Sequence, residues 1–268
     1  MQKERLFGKT LAELDVVASA MGLPSYAGRQ IAEWLYRKEI SDIRQMTNLS
    51  KKSREALSEH YILGADHPVS VKESADGTKK YLFPAVNGSF VETAYIPDKN
   101  RGTVCVSTQV GCKMGCVFCL TGQQRFQGNL TSAEILNQYK NIPEWKSLTN
   151  IVYMGMGEPL DNLGEVLKSL EILTSAWGFG LSPKRITVST IGIVPAISQF
   201  LDKSKAHLAV SLHSPFDEER AKLIPLQKTN PFKEVLSEIR SRDFSRQRRI
   251  SFEYILFKNF NDSPAHVN

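Results

Sequence analysis

The 268 residues are 41% apolar, enough for a sizeable buried core, and carry 34 Lys and Arg against 28 Asp and Glu, a net charge of +6. No run approaches the roughly 18 apolar residues of a membrane-spanning helix, and the opening Met1-Gln-Lys-Glu-Arg-Leu-Phe7 lacks the apolar core of a secretory signal, so a cytoplasmic protein is expected. All four cysteines fall between positions 105 and 119, which suits metal binding in a reducing compartment better than a disulfide framework. The modest basic surplus is compatible with a polyanionic partner and does not demand one.

The first 62 or so residues read as helical. Apolar residues recur at three- and four-residue steps over Leu11–Met21, and Gly22-Leu-Pro24 carries helix-ending chemistry. Ala27–Tyr36 and Leu49–His60 repeat the pattern, the latter with Ser50 as its N-cap. Arg29, Arg37, Lys38, Lys51, Lys52 and Arg54 decorate these helices, either as a solvated face or as phosphate contacts. From about 66 to 97 the period changes to two, with Asp76-Gly77 and Asn87-Gly88 as two-residue turns of a three-stranded meander. Glu92 is a lone carboxylate in its last strand, a residue that ordinarily faces water. The expected organisation is a helical accessory unit over 1–64, a meander over 65–98 and an α/β unit over 99–268.

After residue 102 strands alternate with helices. Strands are expected at 103–108, 148–154, 185–189, 206–211 and 249–256, and helices at 132–141, 163–176, 193–202, 217–223 and 231–242, the first opened by the capping box Thr131-x-x-Glu134. Five β/α units in series imply a parallel sheet curled into a barrel or part of one, with chemistry gathered beyond the carboxyl ends of the strands. The loop after the first strand holds Cys112, Cys116 and Cys119 in a C-x3-C-x2-C spacing. Three thiolates on a tight loop can face one centre. Spacing alone leaves open a three-ligand iron–sulfur cluster with one free iron, a zinc site lacking an evident fourth ligand, and unligated core cysteines. Cys105 lies on the preceding strand, seven residues before Cys112.

C-x3-C-x2-C with Phe118 before the last cysteine resembles the radical S-adenosylmethionine (SAM) signature. Val91-Glu-Thr93, Cys105–Cys112, Gly122-Gln-Gln124, Asn129-Leu130, Met154–Leu160, Arg185–Pro195, Ser211-Leu-His-Ser214 and Asn261-Asp262 together resemble the RlmN/Cfr family of radical SAM methyltransferases, closest to its RlmN branch. The resemblance implies a partial (β/α)6-type radical SAM barrel with five units present, preceded by a small helical domain and a β-meander. It implies a [4Fe-4S] cluster on Cys112, Cys116 and Cys119, and SAM contacts from Gly157, Glu158, Ser189, Ser211, Leu212 and His213. Glu92 matches the proton acceptor of the family and Cys105 the cysteine that resolves a covalent adduct by forming a disulfide. The implied activity is methylation of adenosine C2 in 23S rRNA and tRNA through a methyl-cysteine, by a monomer served by an electron donor such as flavodoxin.

The sequence stops at Asn268 with no cysteine after Cys119, whereas the family continues through a sixth unit and a segment with the methyl-accepting cysteine and a further SAM-contacting asparagine. A truncated chain that holds the cluster and some SAM without methylating RNA is therefore expected. Two alternatives stand beside this reading. Ser189-Thr-Ile-Gly192 and Ser211–Pro215 are equally similar to the Cfr branch, which methylates adenine C8, and a different class would be a non-catalytic RNA-binding module with a structural metal. The basic N-terminal helices, and Arg240, Arg242, Arg246, Arg248 and Arg249, are the candidate RNA contacts.

Overall fold

The structure, a computed structural model, describes residues 3–244 and 249–267, without the side chains of Val86 and Val267. The chain begins with β1 (Glu4–Arg5), α1 (Leu11–Ala20), α2 (Ala27–Arg37), α3 (Lys51–His60) and β2 (Tyr61–Ile62). Thr10 and Glu13 form a full capping box at the start of α1, and the Ser50 hydroxyl accepts from Ser53 N at the start of α3. Helices α1 and α2 cross so closely that a Cβ on Gly28 would lie 2.9 Å from Asp15 N. Leu14, Val17, Ile31, Leu35 and Leu57 fill the interior. The parallel pairing of β1 with β2, Glu4 opposite Tyr61, ties the two ends of this unit together. Two-residue strands carry no periodicity, so nothing in the sequence announces them.

The meander comprises β3 (Ser70–Glu73), β4 (Lys79–Pro84) and β5 (Phe90–Asp98). Both of its turns are one residue longer than expected. Asn87 (φ 57°) and Gly88 (φ 70°) are both left-handed, but Pro84 pairs with Phe90 and Ala85 N donates to Ser89 O, so three residues, 86–88, lie between the closing pair where a two-residue turn was expected. At Asp76-Gly77 only Gly77 has positive φ, Gly77 N donates to Ser74 O and Ser74 N to Thr78 O. That is a longer loop ending in a glycine bulge, which corrects the two-residue turn expected from the sequence; Asp76 is held by Thr78 N and Oγ1 instead.

The remainder runs β6 (Arg101–Cys105), β7 (Gln109–Val110), α4 (Leu120–Gln123), β8 (Gly128–Asn129), α5 (Ser132–Lys140), β9 (Asn150–Tyr153), α6 (Leu163–Thr174), β10 (Ile186–Thr190), α7 (Val194–Lys203), β11 (His207–Ser211), α8 (Asp217–Leu223), α9 (Phe232–Arg240), β12 (Ile250–Glu253) and α10 (Pro264–Val267). One eight-stranded sheet has the order β12-β11-β10-β9-β6-β5-β4-β3. The five strands from β6 to β12 are mutually parallel and neighbours in chain order, the expected partial barrel. Strand β5 pairs antiparallel to β6, so the meander extends the same sheet. Strand β12 ends at Glu253 rather than 256, and Ile255 and Leu256 are exposed beyond it.

Residue alternation gives the parallel segment two unlike faces. Val104, Ile151, Tyr153, Ile186, Val188, Leu208 and Val210 point outward and are buried within the main core. The register sets Cys105, Val152, Thr187 and His207 in one row of the inner face, Ser189, Ala209 and Ser251 in the next, and Ser211 beside Glu253 above them.

Candidate functional site

The cysteine loop is stapled at its base. Strands β7 and β8 pair antiparallel, Gln109 opposite Asn129, where the chain leaves and re-enters the barrel. Gln109 is fully buried and uses its whole amide: Nε2 donates to Asn129 Oδ1 (2.9 Å) and Asp161 Oδ2 (2.7 Å), and Oε1 accepts from Glu158 N (2.9 Å). This fastens the loop to the turn after β9. That turn approaches so closely that a Cβ on Gly157 (φ 96°) would lie 2.5 Å from Gln109 Cβ, which accounts for the glycine.

A cleft of about 390 Å³ opens beyond the carboxyl ends of β9 to β12, in the size range of small-molecule sites. Cys112, Cys116 and Cys119 form one wall; Gly157, Glu158, Ser189, Ser211 and His213 form the other. The structure thus gathers eight of the predicted site residues around one space. Leu212 does not line it; its carbonyl accepts from Arg220 Nε (3.2 Å) and its side chain packs on the core. A larger cleft of about 830 Å³ lies between the helical unit, the meander and the end of α5. Its walls are largely apolar, and none of the predicted site residues reaches it.

The thiols are all free, with no disulfide among them. Burial pushes the Cys116 thiol up to about 12, and the neighbouring charges of Cys112 and Cys119 push the same way. Burial raises Cys112 likewise. Left alone Cys112 and Cys116 are neutral thiols; a cationic centre is what would make adjacent thiolates stable. Among the described residues no three His, Cys, Asp or Glu side chains converge on a single-ion site. Three thiolates of one loop are the donor set of a four-iron cluster with one iron left open.

Glu158 is 4% exposed. Its Oε1 accepts from Thr190 Oγ1 (2.6 Å) and Leu160 N (3.1 Å), and its Oε2 from Ile191 N (3.1 Å). Burial outweighs these bonds and raises its pKa to about 7. A carboxylate so placed, with a lone pair left on Oε2, is fitted to receive an ammonium group, whose charge would offset the desolvation. His213 is also buried, in left-handed backbone (φ 57°). Its Nδ1 accepts from Ile255 N (3.1 Å) and Phe118 stands edge-on at 4.8 Å. Burial, helped by the positive charge of Arg220, lowers its pKa to about 4, so the ring is neutral with its proton on Nε2. Asn261, within the Asn261-Asp262 pair, donates to His213 O (2.6 Å) and Ile255 O (2.7 Å) and so pins this backbone.

Glu92 and Cys105 stand apart from the cleft wall. Cys105 faces Ala94 across the β5–β6 ladder, and Glu92, two residues before Ala94, shares that face. Burial pushes the Cys105 thiol up to about 11. Glu92 is half-exposed and pairs with Lys80 at 2.9 Å. Its carbonyl accepts from Ser107 Oγ (2.6 Å), which in turn accepts from Met156 N (2.8 Å), linking the meander to the turn after β9.

Two residues of the site have no counterpart in the sequence reading. Glu253 ends β12 in the cleft, and its Oε2 accepts from both Ser189 Oγ (2.6 Å) and Ser211 Oγ (3.2 Å). The signal was present, a carboxylate closing an apolar strand. Arg220, 1% exposed on α8, donates to Ile191 O (2.7 Å), Ser211 O (2.8 Å) and Leu212 O (3.2 Å), joining the ends of β10 and β11. The structure also divides the basic residues. Arg37 donates to Gly178 O (3.0 Å) and Ala176 O, and Arg54 to Arg44 O, which makes both of them tethers, while Arg29, Lys51 and Lys52 are exposed. Arg242 pairs with Asp202 and Glu238; Arg240 and Arg249 are exposed, and Arg246 and Arg248 lie outside the described residues.

Comparison with known proteins agrees with this geometry. Residues 106–267 match the family model of the radical SAM superfamily, and residues 5–63 that of the ribosomal RNA large subunit methyltransferase N-terminal domain. The chain is 54% identical over 267 residues to a probable dual-specificity RNA methyltransferase RlmN of Parabacteroides distasonis, covering 100% of this chain and 78% of that one. It is 41% identical over 263 residues to the dual-specificity RNA methyltransferase RlmN of Geotalea uraniireducens, covering 98% and 77%. A crystal structure of a radical SAM methyltransferase from Sphaerobacter thermophilus superposes with a TM-score of 0.89 at 40% identity, over 98% of this chain and 79% of that one. A family whose cofactors are a [4Fe-4S] cluster and SAM accounts for the three-thiol loop, the buried carboxylate and the cleft between them: the chain belongs to the RlmN family of radical SAM methyltransferases.

Proposed function

We propose that this chain carries the cluster- and SAM-binding machinery of an RNA methyltransferase acting on C2 of adenosine in 23S rRNA and tRNA. The observation that carries the reading is the single cleft walled by three thiols, one of them buried, on one side and Glu158, Ser189, Ser211 and His213 on the other. Cys112, Cys116 and Cys119 hold the cluster, and Glu158 takes the SAM ammonium on the free lone pair of Oε2. Gly157 lets the backbone come close, and the Ser189 and Ser211 hydroxyls, each spending its proton on Glu253, keep lone pairs for the ligand. Leu212 contributes through its backbone, and neutral His213 presents Nε2–H. When bound, the cluster and SAM supply one-electron cleavage of a carbon–sulfur bond.

Glu92 is the proton acceptor and Cys105 the resolving thiol. Cys105 stays protonated until its step, because burial holds it well above neutral pH. The methyl-accepting cysteine is not among these 268 residues, whose cysteines are all assigned, so the disulfide of the cycle has only one partner here. Exposed Arg29, Lys51 and Lys52 are the first candidates for RNA phosphates, and the partner supplying electrons is a low-potential donor of the flavodoxin kind.

Anaerobic reconstitution with iron and sulfide tests the first half. A brown protein whose absorbance changes on adding SAM is expected; a colourless protein holding zinc would overturn it. For the second half, RNA is treated with the protein bearing its C-terminal methyl-accepting segment and with methyl-labelled SAM, and the product base is mapped by mass spectrometry. Recovery of 8-methyladenosine without the 2-methyl isomer would replace the C2 assignment with C8.

A further inference from the structure

We propose that Arg220 is a positioning residue that supplies the fixed positive charge opposite the cysteine loop and so sets how readily the bound iron–sulfur cluster accepts an electron. The inference rests on the proposed cluster role of Cys112, Cys116 and Cys119. The guanidinium is 1% exposed, and its hydrogen-bond acceptors, Ile191 O, Ser211 O, Leu212 O and Gln227 Oε1, are all neutral. The ring of Phe232 covers it, 4.8 Å from Cζ. Asp217 stands behind Gln227, whose Nε2 donates to Asp217 Oδ1 (2.7 Å). A buried cation with only neutral partners costs several kcal/mol, unless an anion lies within range of its field.

Besides Asp217, the anion within range is the cysteine loop once it holds the cluster. One turn beyond Arg220, Leu223 and Ile224 pack directly on Cys116, and Val117 N donates to Leu223 O (3.1 Å). Three thiolates around a doubly charged cluster leave a net negative centre, and one electron from an external low-potential donor adds a further negative charge. A fixed guanidinium stabilises the more negative, reduced state over the oxidised one. Arginine also fits the mechanical task. Its fork bridges Ile191 on one strand end and Ser211-Leu212 on the next, and Ile191 N in turn holds Glu158.

The test is the midpoint potential of the anaerobically reconstituted chain, read by electron paramagnetic resonance during dithionite titration. Arg220→Met is expected to make reduction at least tenfold less favourable, which for a one-electron couple is about 59 mV. Arg220→Lys keeps the charge and loses the fork, so its reduction equilibrium should stay within threefold of the parent's while the melting temperature and SAM affinity fall. Asp217→Asn removes a nearby negative charge, leaves every cleft residue in place, and should move the potential upward. A purely structural arginine predicts that Met and Lys lower the melting temperature alike and leave the potential unmoved; that result overturns the proposal. Should Arg220→Met not fold, an unmoved potential in Asp217→Asn overturns it as well. Absence of an iron–sulfur chromophore in the parent chain would instead sink the cluster assignment itself.

Discussion

The two faces of the parallel strands obey different rules. The outward face is a row of Val, Ile and Leu with Tyr153, pressed on by helices, and Tyr153 even bonds Ser169 of α6 through its hydroxyl (2.8 Å). The inward face carries Cys105, Ser189, Ser211 and Glu253, small or polar residues whose bonds run sideways to one another. Burial on the outer face stabilises the sheet, while hydroxyls and carboxylates on the inner face add little stability and hold the cleft in shape. A substitution should therefore cost folding on one face and ligand affinity on the other.

The largest effect is expected from Leu208→Ala on the outer face. Leu208 is fully buried between the strands and helices, so the cavity should cost about 3 kcal/mol. In a chain of this size that lowers the melting temperature by about 6–12 °C, with SAM affinity unchanged in the folded protein. Calorimetry and titration with SAM check the two halves separately. Equal loss of both would show that the faces are not independent.

His213 sharpens the contrast from the inner side through pH. The folded protein keeps the ring neutral down to about pH 4, whereas the unfolded chain takes up a proton near 6.5. Between those values the unfolded state binds more protons, so stability present above pH 6.5 is lost as pH falls towards 4, by about 1–3 kcal/mol. His213→Asn tolerates the left-handed backbone and can still accept from Ile255 N, and it should flatten this slope in urea titrations across the window. An unchanged slope would place the titration elsewhere.

Ser189→Ala should be smaller in stability and larger in function. Glu253 keeps its bond from Ser211 (3.2 Å), so the loss is about 1 kcal/mol at most. SAM affinity should weaken about tenfold, equivalent to about 1.4 kcal/mol, as measured by equilibrium dialysis. A variant that binds SAM normally would remove Ser189 from the site.

Much of this division was legible in the residues. The strand–loop–helix rhythm after residue 102 located all five parallel strands, and Thr131-x-x-Glu134 marked the start of α5, because short buried runs and capping leave local signatures. The cysteine loop was legible for the same reason, its ligands being close in sequence. Gln109, Arg220 and Glu253 were not, since each acts on a distant partner: Asn129, Ile191 and Ser189, at 20, 29 and 64 positions respectively. Both hairpin turns misled because Asp-Gly and Asn-Gly suit three-residue loops as well as two-residue turns; at 76–77 the carboxylate bonds of Asp76 to Thr78 accompany the longer form.

The weakest expected effect is at the margin of the inner face, where Glu92 meets Lys80 at 2.9 Å with both side chains 51% exposed. An ion pair so open to water contributes under about 1 kcal/mol and is screened by salt. Lys80→Ala should leave the melting temperature within about 2 °C of the parent. The pair matters for chemistry because a base that must reach a nucleotide has first to leave its lysine. In the protein bearing its C-terminal methyl-accepting segment, releasing Glu92 should therefore speed proton removal or leave it unaltered, whereas Glu92→Gln should abolish methyl transfer and leave the cluster spectrum and SAM binding intact. A Glu92→Gln protein that still methylates RNA at the parent rate would show that the half-exposed carboxylate is what its exposure alone suggests, a solvated strand residue.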